Sequence, residues 1–121
     1  EDSDRSAQRI LYELQDKTGN ELGVLIIDSH GRAWRNGIVG VCIGVSGIPA
    51  LVDMRGQKDM YDYALRVTTI AAADELAAGA SLMMGQANEG TPVVHVRGFP
   101  YGLHESSSRE LIRERKNDLF R

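Results

Sequence analysis

The chain has 121 residues, 42% of them hydrophobic and 26% charged, with a formal net charge of −3. This length fits one globular domain with a core of its own, and the negative balance excludes a general electrostatic attraction to nucleic acid. No apolar run reaches the roughly 18 residues of a membrane-spanning helix, and the N-terminus EDSDRSAQ is not typical of a signal peptide.

The first half of the chain is predicted to form one helix and three strands. Residues 6–18 carry apolar side chains at helical spacing, with Asp4 or Ser6 as the cap and Gly19 at the end. Strands are expected over residues 22–28, buried on both faces, and over residues 38–44 and 48–54. The polar stretch RGQKDMYDYALR that follows is expected to be irregular, with a short strand at its end as an alternative.

The second half is predicted to form a helix, a strand and a charged tail. The run TTIAAADELAAGASLMM predicts a helix over residues 68–84 that ends at Gly85. PVVHVRG predicts a strand over residues 92–98, and residues 109–121 predict a short charged helix with a loose end. The expected fold is therefore mixed α/β (α+β) over a single domain, residues 1–121, with two main helices and one sheet of about four strands.

Polar side chains collect where the first predicted strand ends. Asp28 and Ser29 follow the apolar run LII, and Arg32 and Arg35 come just beyond them. Carboxylate, hydroxyl and amide oxygens suit magnesium or manganese, and arginines suit phosphate or carboxylate oxygens. Gln86 is a further oxygen donor of the right type. Spacing alone leaves open a second interpretation, in which these residues only cap a turn and a helix.

Two further polar segments have the same ambiguity. The loop MGQANEGT offers backbone amides between glycines that could line a phosphate, although it is not a Walker motif. It could equally be an ordinary connection between a helix and a strand. Arg55 and Lys58 could neutralise phosphate, or they could form structural ion pairs with acids such as Asp53 and Asp59.

The remaining reactive side chains predict no catalytic site of their own. His30, His95 and His104 are too widely spaced to form a recognisable zinc ligand pair. Cys42 lies in the apolar run IVGVCIGV and is expected to be a core residue; as the sole cysteine it favours a reducing, cytoplasmic setting. No nucleophile elbow is present, which argues against a hydrolase. Trp34 could stack on a ring, although a plain packing role is the expectation.

Together, the separated motifs resemble those of one family. IDSHGRAWRNG, DMRGQKD, ADELA and MGQANEG occur in order and closely resemble motifs of the γ-glutamyl ligases of the deazaflavin coenzyme F420. The resemblance covers roughly residues 4–121. One departure is Ile27, where the family usually has serine before the aspartate. The resemblance implies the C-terminal half of a ligase region about twice this length, with an absent first half that carries another metal-binding aspartate.

The resemblance also implies an activity. Such ligases use GTP as a co-substrate to activate a carboxylate of the coenzyme F420 precursor as an acyl phosphate, which the amino group of L-glutamate then attacks. The implied partners are these three small molecules, a second copy in a homodimer and the missing N-terminal half, without nucleic acid or membrane. Two alternatives stay open: a ligase of the same scaffold that acts on another carboxylate, and a non-catalytic nucleotide-binding or dimerisation module.

The resemblance assigns roles residue by residue. Asp28 matches the ligand of one divalent ion, Mg²⁺ or Mn²⁺, while Ser29 and Gln86 match ligands of a second, with K⁺ as a further ion. Asp28, Arg32 and Arg35 are the expected catalytic residues, the arginines meeting developing charge or a substrate phosphodiester. The expected GTP-binding loop consists of Met84, Gly85, Gln86, Ala87, Asn88, Glu89, Gly90 and Thr91.

Overall fold

A computed structural model describes residues 2–118. It confirms the mixed α+β class and the two main helices, but the four strands form two antiparallel two-stranded sheets, β1–β2 and β3–β4, instead of one sheet. No helix within the described range is long and apolar enough to cross a bilayer. The elements are α1 (Ser3–Thr18), β1 (Val24–Arg32), β2 (Arg35–Ser46), β3 (Val52–Asp53), β4 (Thr69–Ile70), α2 (Ala72–Met84) and two 3-10 helices (Ser108–Leu111 and Arg115–Asn117).

Helix α1 begins earlier than predicted. Its N-cap is Asp2, whose carboxylate accepts a hydrogen bond from the N–H of Arg5 at 3.2 Å. The proposed caps Asp4 and Ser6 are therefore wrong, because both lie inside the helix. Gly19 ends the helix as predicted, in the left-handed conformation with φ 68° that favours glycine.

Strands β1 and β2 form one long hairpin. Both strands extend beyond the predicted ranges, and they are joined by a two-residue turn between Arg32 and Arg35. Residues 24–27 are only half-buried, so the predicted burial on both faces is wrong. A bulge at Ile43 shifts the register, since Ile26 pairs with Gly44 whereas Ile27 pairs with Cys42.

The core lies at the base of this hairpin, between it and α2. Cys42 and Val45 of β2 pack with Ala73 and Ala77 of α2, and the segment after β2 adds Ile48 and Ala50. Small side chains on α2 bring helix and strand close together: a Cβ on Gly40 would lie 2.6 Å from the Ala77 carbonyl oxygen. The predicted core role of Cys42 is confirmed. The partly buried residues against this core are Leu25, Ile27, Leu76, Phe99 and Leu111.

Side chains of both helices cover the free edge of β2. The N–H of Cys42 donates to Asp74 Oδ1 at 2.9 Å, and the N–H of Gly40 donates to Ser81 Oγ at 3.2 Å. Beyond the bulge, the N–H of Val45 donates to Asp4 Oδ1 at 2.9 Å. An uncovered edge would expose unpaired backbone groups to other strands. These three acceptors therefore protect the edge without a third strand.

Four other predicted elements differ from the structure. Helix α2 begins at Ala72 and not at residue 68, because Thr69–Ile70 pairs with Val52–Asp53. That pairing is also all that remains of the strand predicted over 48–54. Residues 92–98 pair with no other described residue, so they form no strand there. The tail forms 3-10 helices instead of an α-helix, and the part of this prediction over 119–121 lies outside the described residues.

Candidate functional site

Four of the predicted site residues lie on one exposed part of the hairpin. We call residues 28–38 the hairpin arm, since all of them are exposed and they extend beyond the core. It carries Asp28, Ser29, Arg32 and Arg35. The expectation that Asp28 stands at the exit of a strand is wrong, because the cross-strand ladder continues as far as Arg32. Polar residues are tolerated within these strands because the arm is solvated.

Alternation along β1 separates the two neighbouring ligand candidates. Ile27 packs on the core, and Ser29, two residues on, points to the same face of the hairpin. Asp28 points to the opposite face. Its carboxylate accepts a hydrogen bond from the Ser29 N–H at 2.7 Å and stays exposed. Two groups that point away from each other suit two different ions better than one.

The Ser29 face lies beside the C-terminal end of α2. Ser29 pairs with Gly40, and Gly40 contacts the helix so closely that a Cβ there would lie 2.6 Å from Ser81 Cβ. Helix α2 ends at Met84, two residues before Gln86. The fold therefore brings the Ser29 position and the start of the predicted GTP-binding loop to one side of the molecule. The convergence of all three proposed ligands stays a prediction.

The loop from Met84 to Thr91 is shaped by its own residues. Gly85 has φ 77° and ψ −179°, a conformation that is essentially restricted to glycine. The Glu89 side chain folds back over it, where a Cβ would collide with the carboxylate. Glu89 Oε2 also accepts a hydrogen bond from the Ala87 N–H at 2.8 Å, which lowers the pKa of Glu89. One amide of the proposed phosphate cradle thus already binds a carboxylate.

The oxygen donors of this chain fit magnesium or manganese when ligands from outside the chain complete the coordination shell. Among residues 2–118 there is no group of three or more histidine, cysteine or acidic side chains that could hold a metal. Asp28 supplies one carboxylate, and Ser29 and Gln86 supply neutral oxygens. Mg²⁺ commonly binds through one or two carboxylates and completes its shell with water and substrate phosphates. The residues present therefore fit a nucleotide-bound ion, and not a cage built from this chain alone.

The tip of the arm carries Trp34, for which the sequence predicts a packing role. Trp34 is 90% exposed and has φ 64°, so the expected packing role is wrong. A bulky residue with positive φ is uncommon and strained. The signal was available in principle, because RAWR places a tryptophan in a turn where glycine or asparagine would be the ordinary choice. Next to it, an Arg32 Nη donates to the Asn36 carbonyl at 3.4 Å.

The DMRGQKD segment is structural in the described residues. Arg55 forms an ion pair with Asp53 at 2.6 Å, as the structural alternative predicted. Hydrogen bonds from Arg55 lower the pKa of Asp53 to about 2. Lys58 pairs with Asp62 at 2.9 Å, while Asp59 accepts hydrogen bonds from two backbone N–H groups of its own turn. These charged side chains therefore make their contacts within their own loop.

A second polar cluster, at the base of the hairpin, was missed from sequence. Asp4 accepts hydrogen bonds from Val45 N–H, the Ser107 hydroxyl at 2.7 Å and Ser108 N–H. Burial alone would raise the pKa of Asp4, but these hydrogen bonds outweigh it and lower the pKa. The Ser46 hydroxyl contacts both oxygens of Glu105 at 3.1 Å. These contacts join residues 105–108 to α1 and β2.

The fold and site define an α+β domain whose oxygen donors and arginines lie on an exposed arm beside a glycine-bracketed loop. The family model described as F420-0:Gamma-glutamyl ligase matches residues 1–98. The chain belongs to this family.

Three relatives illustrate the similarity, each a coenzyme F420:L-glutamate ligase. That of Methanothermobacter thermautotrophicus is 49% identical over 122 residues, which cover 99% of this chain and 48% of the relative. That of Methanocaldococcus jannaschii is 48% identical over 118 residues, covering 98% and 47%. That of Archaeoglobus fulgidus is 42% identical over 120 residues, covering 99% and 48%. The chain thus spans about half the length of the curated relatives it matches.

Proposed function

We propose that this chain is part of a GTP-dependent ligase that forms an amide bond between a carboxylate of a coenzyme F420 precursor and L-glutamate. Membership of the family supports the ligase class, and the relatives' names supply coenzyme F420 and L-glutamate. The observation that carries the proposal is the hairpin arm. It holds Asp28, Ser29, Arg32 and Arg35 in solvent, and Ser29 pairs with Gly40 of β2, which lies against α2.

Asp28 is proposed to bind one divalent ion, and Ser29 with Gln86 to bind a second. When bound, such ions neutralise the outer phosphate oxygens and hold the reacting groups in line. A single carboxylate among three ligands supplies negative charge without cancelling the attraction of the ions for phosphate. The placement of Asp28 and Ser29 on opposite faces of β1 supports separate ions.

The protein's other groups are proposed to bind phosphate and position substrates. A carboxylate does not react with an amine at neutral pH until phosphorylation gives it a leaving group. Arg32 or Arg35 would contact the charge that develops during this transfer, and the amides of residues 84–91 would bind phosphate oxygens. The glutamate nitrogen then attacks the acyl phosphate and expels phosphate. No covalent enzyme nucleophile is needed, and burial raises the pKa of Cys42 to about 12, so its thiol stays protonated.

Residues outside this chain are proposed to complete the site. We define the complementary half as the part of the Methanothermobacter thermautotrophicus relative that this chain does not match, about half of that protein. It is proposed to add a further metal-binding aspartate and nucleotide contacts, within a dimer of the assembled enzyme. The exposure of all residues from 28 to 38 agrees with an arm that another surface covers.

The test uses this chain coexpressed with the complementary half. GDP release with Mg²⁺ or Mn²⁺, coenzyme precursor and L-glutamate is measured, and the product is weighed by mass spectrometry. Asp28→Asn is expected to reduce GDP release at least about 100-fold, because it removes the ligand charge. Asp16→Asn is the matched control, an exposed aspartate on α1, and should leave turnover unchanged.

Each other outcome points to a different conclusion. Unchanged turnover in Asp28→Asn would end the metal assignment. Turnover only with a different acid would favour a ligase of the same scaffold with another carboxylate substrate. Binding of GTP in the presence of Mn²⁺, without GDP release under any condition, would favour a nucleotide-binding module.

A further inference from the structure

We propose that residues 92–98, called here the docking strand, bind the complementary half by adding one of its β-strands alongside them. Apolar side chains of that strand would fill the groove between the docking strand and α2. The inference rests on the family membership and the half-length match, and not on the nucleotide chemistry proposed above.

The backbone of the docking strand pairs with no other part of the chain within residues 2–118. Its sequence, PVVHVRG, alternates in the manner of a strand. No backbone hydrogen bond joins residues 92–98 to any other residue in the range 2–118. Backbone N–H and C=O groups that become buried in folded proteins are almost always hydrogen-bonded. A row of such groups without protein partners is therefore a template for another strand.

The side chains around the docking strand are apolar and exposed. Val93 is 80% exposed and Val96 is 43% exposed, while Leu82 and Met83 at the end of α2 are 83% and 70% exposed. A groove runs between the docking strand and the helix. It is lined by apolar and small residues together with an acid and two basic side chains: Leu76, Gly79, Ala80, Met83, Val94, Val96, Glu75, His95 and Arg97.

The complementary half suits this surface better than a second copy of the chain does. The relatives contain about as much further protein as this chain itself supplies, which is enough to cover both the strand edge and the groove. Two copies that paired through the same docking strand would leave the groove beside α2 uncovered. The expected occupant is thus a strand with apolar residues at alternate positions.

The experiment measures association and amide exchange, without any activity. This chain and the complementary half are coexpressed and purified together, and hydrogen exchange is compared with that of the chain alone. Alternate amides within residues 93–97 are expected to exchange at least ~10-fold more slowly in the complex, since one added strand bonds every second N–H of the docking strand. Val93→Asp and Val96→Pro should each weaken association about 10-fold or more. The first places a charge in the apolar contact, and the second removes a backbone N–H donor from the docking strand.

The chain offers a matched control. Val67→Asp changes a valine that is 86% exposed, against 80% for Val93, in a separate loop, and should alter affinity less than about twofold. Equal effects of Val93→Asp and Val67→Asp, unchanged exchange of residues 93–97, or failure of the two halves to copurify would each overturn the inference. Protection of 93–97 in a homodimer of this chain would assign the surface to a second copy. GDP release from a complex with unprotected 93–97 would reject this inference and leave the proposed function standing.

Discussion

The two ends of the β1–β2 hairpin share one ladder of paired strands but lie in opposite environments. Near the base, residues 44–50 are all buried, whereas residues 28–38 of the hairpin arm are all exposed. The difference comes from what packs against the strands, since α1, α2 and residues 105–108 all surround the base. Pairing alone therefore does not decide which part of the hairpin is stable and which part is available to ligands.

Polar residues make different contacts at the base of the hairpin and on its arm. At the base, Asp4, Asp74 and Ser81 satisfy N–H groups of β2. In the described residues, no buried side-chain nitrogen or oxygen lacks a partner. On the arm, Asp28 accepts a hydrogen bond from its neighbour's N–H, and its carboxylate is exposed. One hairpin can therefore place stabilising contacts at its base and exposed polar side chains on its arm.

The largest effect is expected at the base, from Asp4→Ala. The change removes the acceptor for Val45 N–H, the Ser107 hydroxyl and Ser108 N–H. Leaving such donors unsatisfied should lower the free energy of unfolding by about 3 kcal/mol. Chemical denaturation of the chain alone measures this. Asp16→Ala, an exposed aspartate on the same helix, should change it by less than about 0.5 kcal/mol.

The pH dependence of stability tests the same contact independently. Because the pKa of Asp4 is lowered on folding, its contribution is fully present above the unfolded value near 3.8. It is lost as the pH falls through the lower folded pKa. Acidification from pH 5 downward should therefore destabilise the native chain more than Asp4→Asn. Parallel curves for the two proteins would contradict the role given to Asp4.

Two truncations on β2 sharpen the contrast between base and arm. Val45 is 1% exposed and Ile38 is 54% exposed. Val45→Ala should lower the free energy of unfolding by about 2 kcal/mol, since it leaves a cavity in a packed core. Ile38→Ala should lower it by less than about 0.5 kcal/mol, although it removes the larger side chain. Similar losses in denaturant titrations would mean that the arm packs on this chain after all.

The sequence predicted what depends on local patterns and failed where distant contacts decide. Gly19 and Gly85 end both helices as predicted, because helix ends follow local chemistry. The start of α2 was misplaced because Thr69 and Ile70 pair with a strand 17 residues earlier, at Val52 and Asp53. Alanine-rich sequence gives no hint of that pairing.

For the candidate site, too, local sequence patterns predicted the residue types but not their place in the fold. The residue types around Asp28 indicated metal and phosphate chemistry, but not that Asp28 sits within a strand. The length of a hairpin depends on which cross-strand partners it finds. The docking strand was predicted as a strand from its alternation, yet a strand needs a partner, and residues 2–118 supply none.

A smaller effect is expected in the loop that follows α2. Gly85→Ala should lower the free energy of unfolding by about 1–2 kcal/mol, because alanine is strained at φ 77°, ψ −179°. It should also displace Glu89, which a Cβ would meet. Gly79→Ala is the matched control within α2, where a Cβ has open space. It should raise stability by about 0.5–1 kcal/mol, since alanine favours helices. The same sign in both variants, measured by thermal unfolding, would contradict the loop geometry.

The smallest effect is expected at the tip of the arm. Trp34 is strained at φ 64° and buries almost nothing on this chain, so it contributes little to stability. Trp34→Asn should raise the free energy of unfolding by about 0.5 kcal/mol, because asparagine tolerates the left-handed conformation. Trp34→Ala also removes the ring but keeps the strain, so it should give no gain. A loss above about 0.5 kcal/mol in both variants would mean that the ring packs on the chain. A gain in Trp34→Asn alone would show that the chain keeps a strained aromatic residue at the end of its exposed arm, against its own stability.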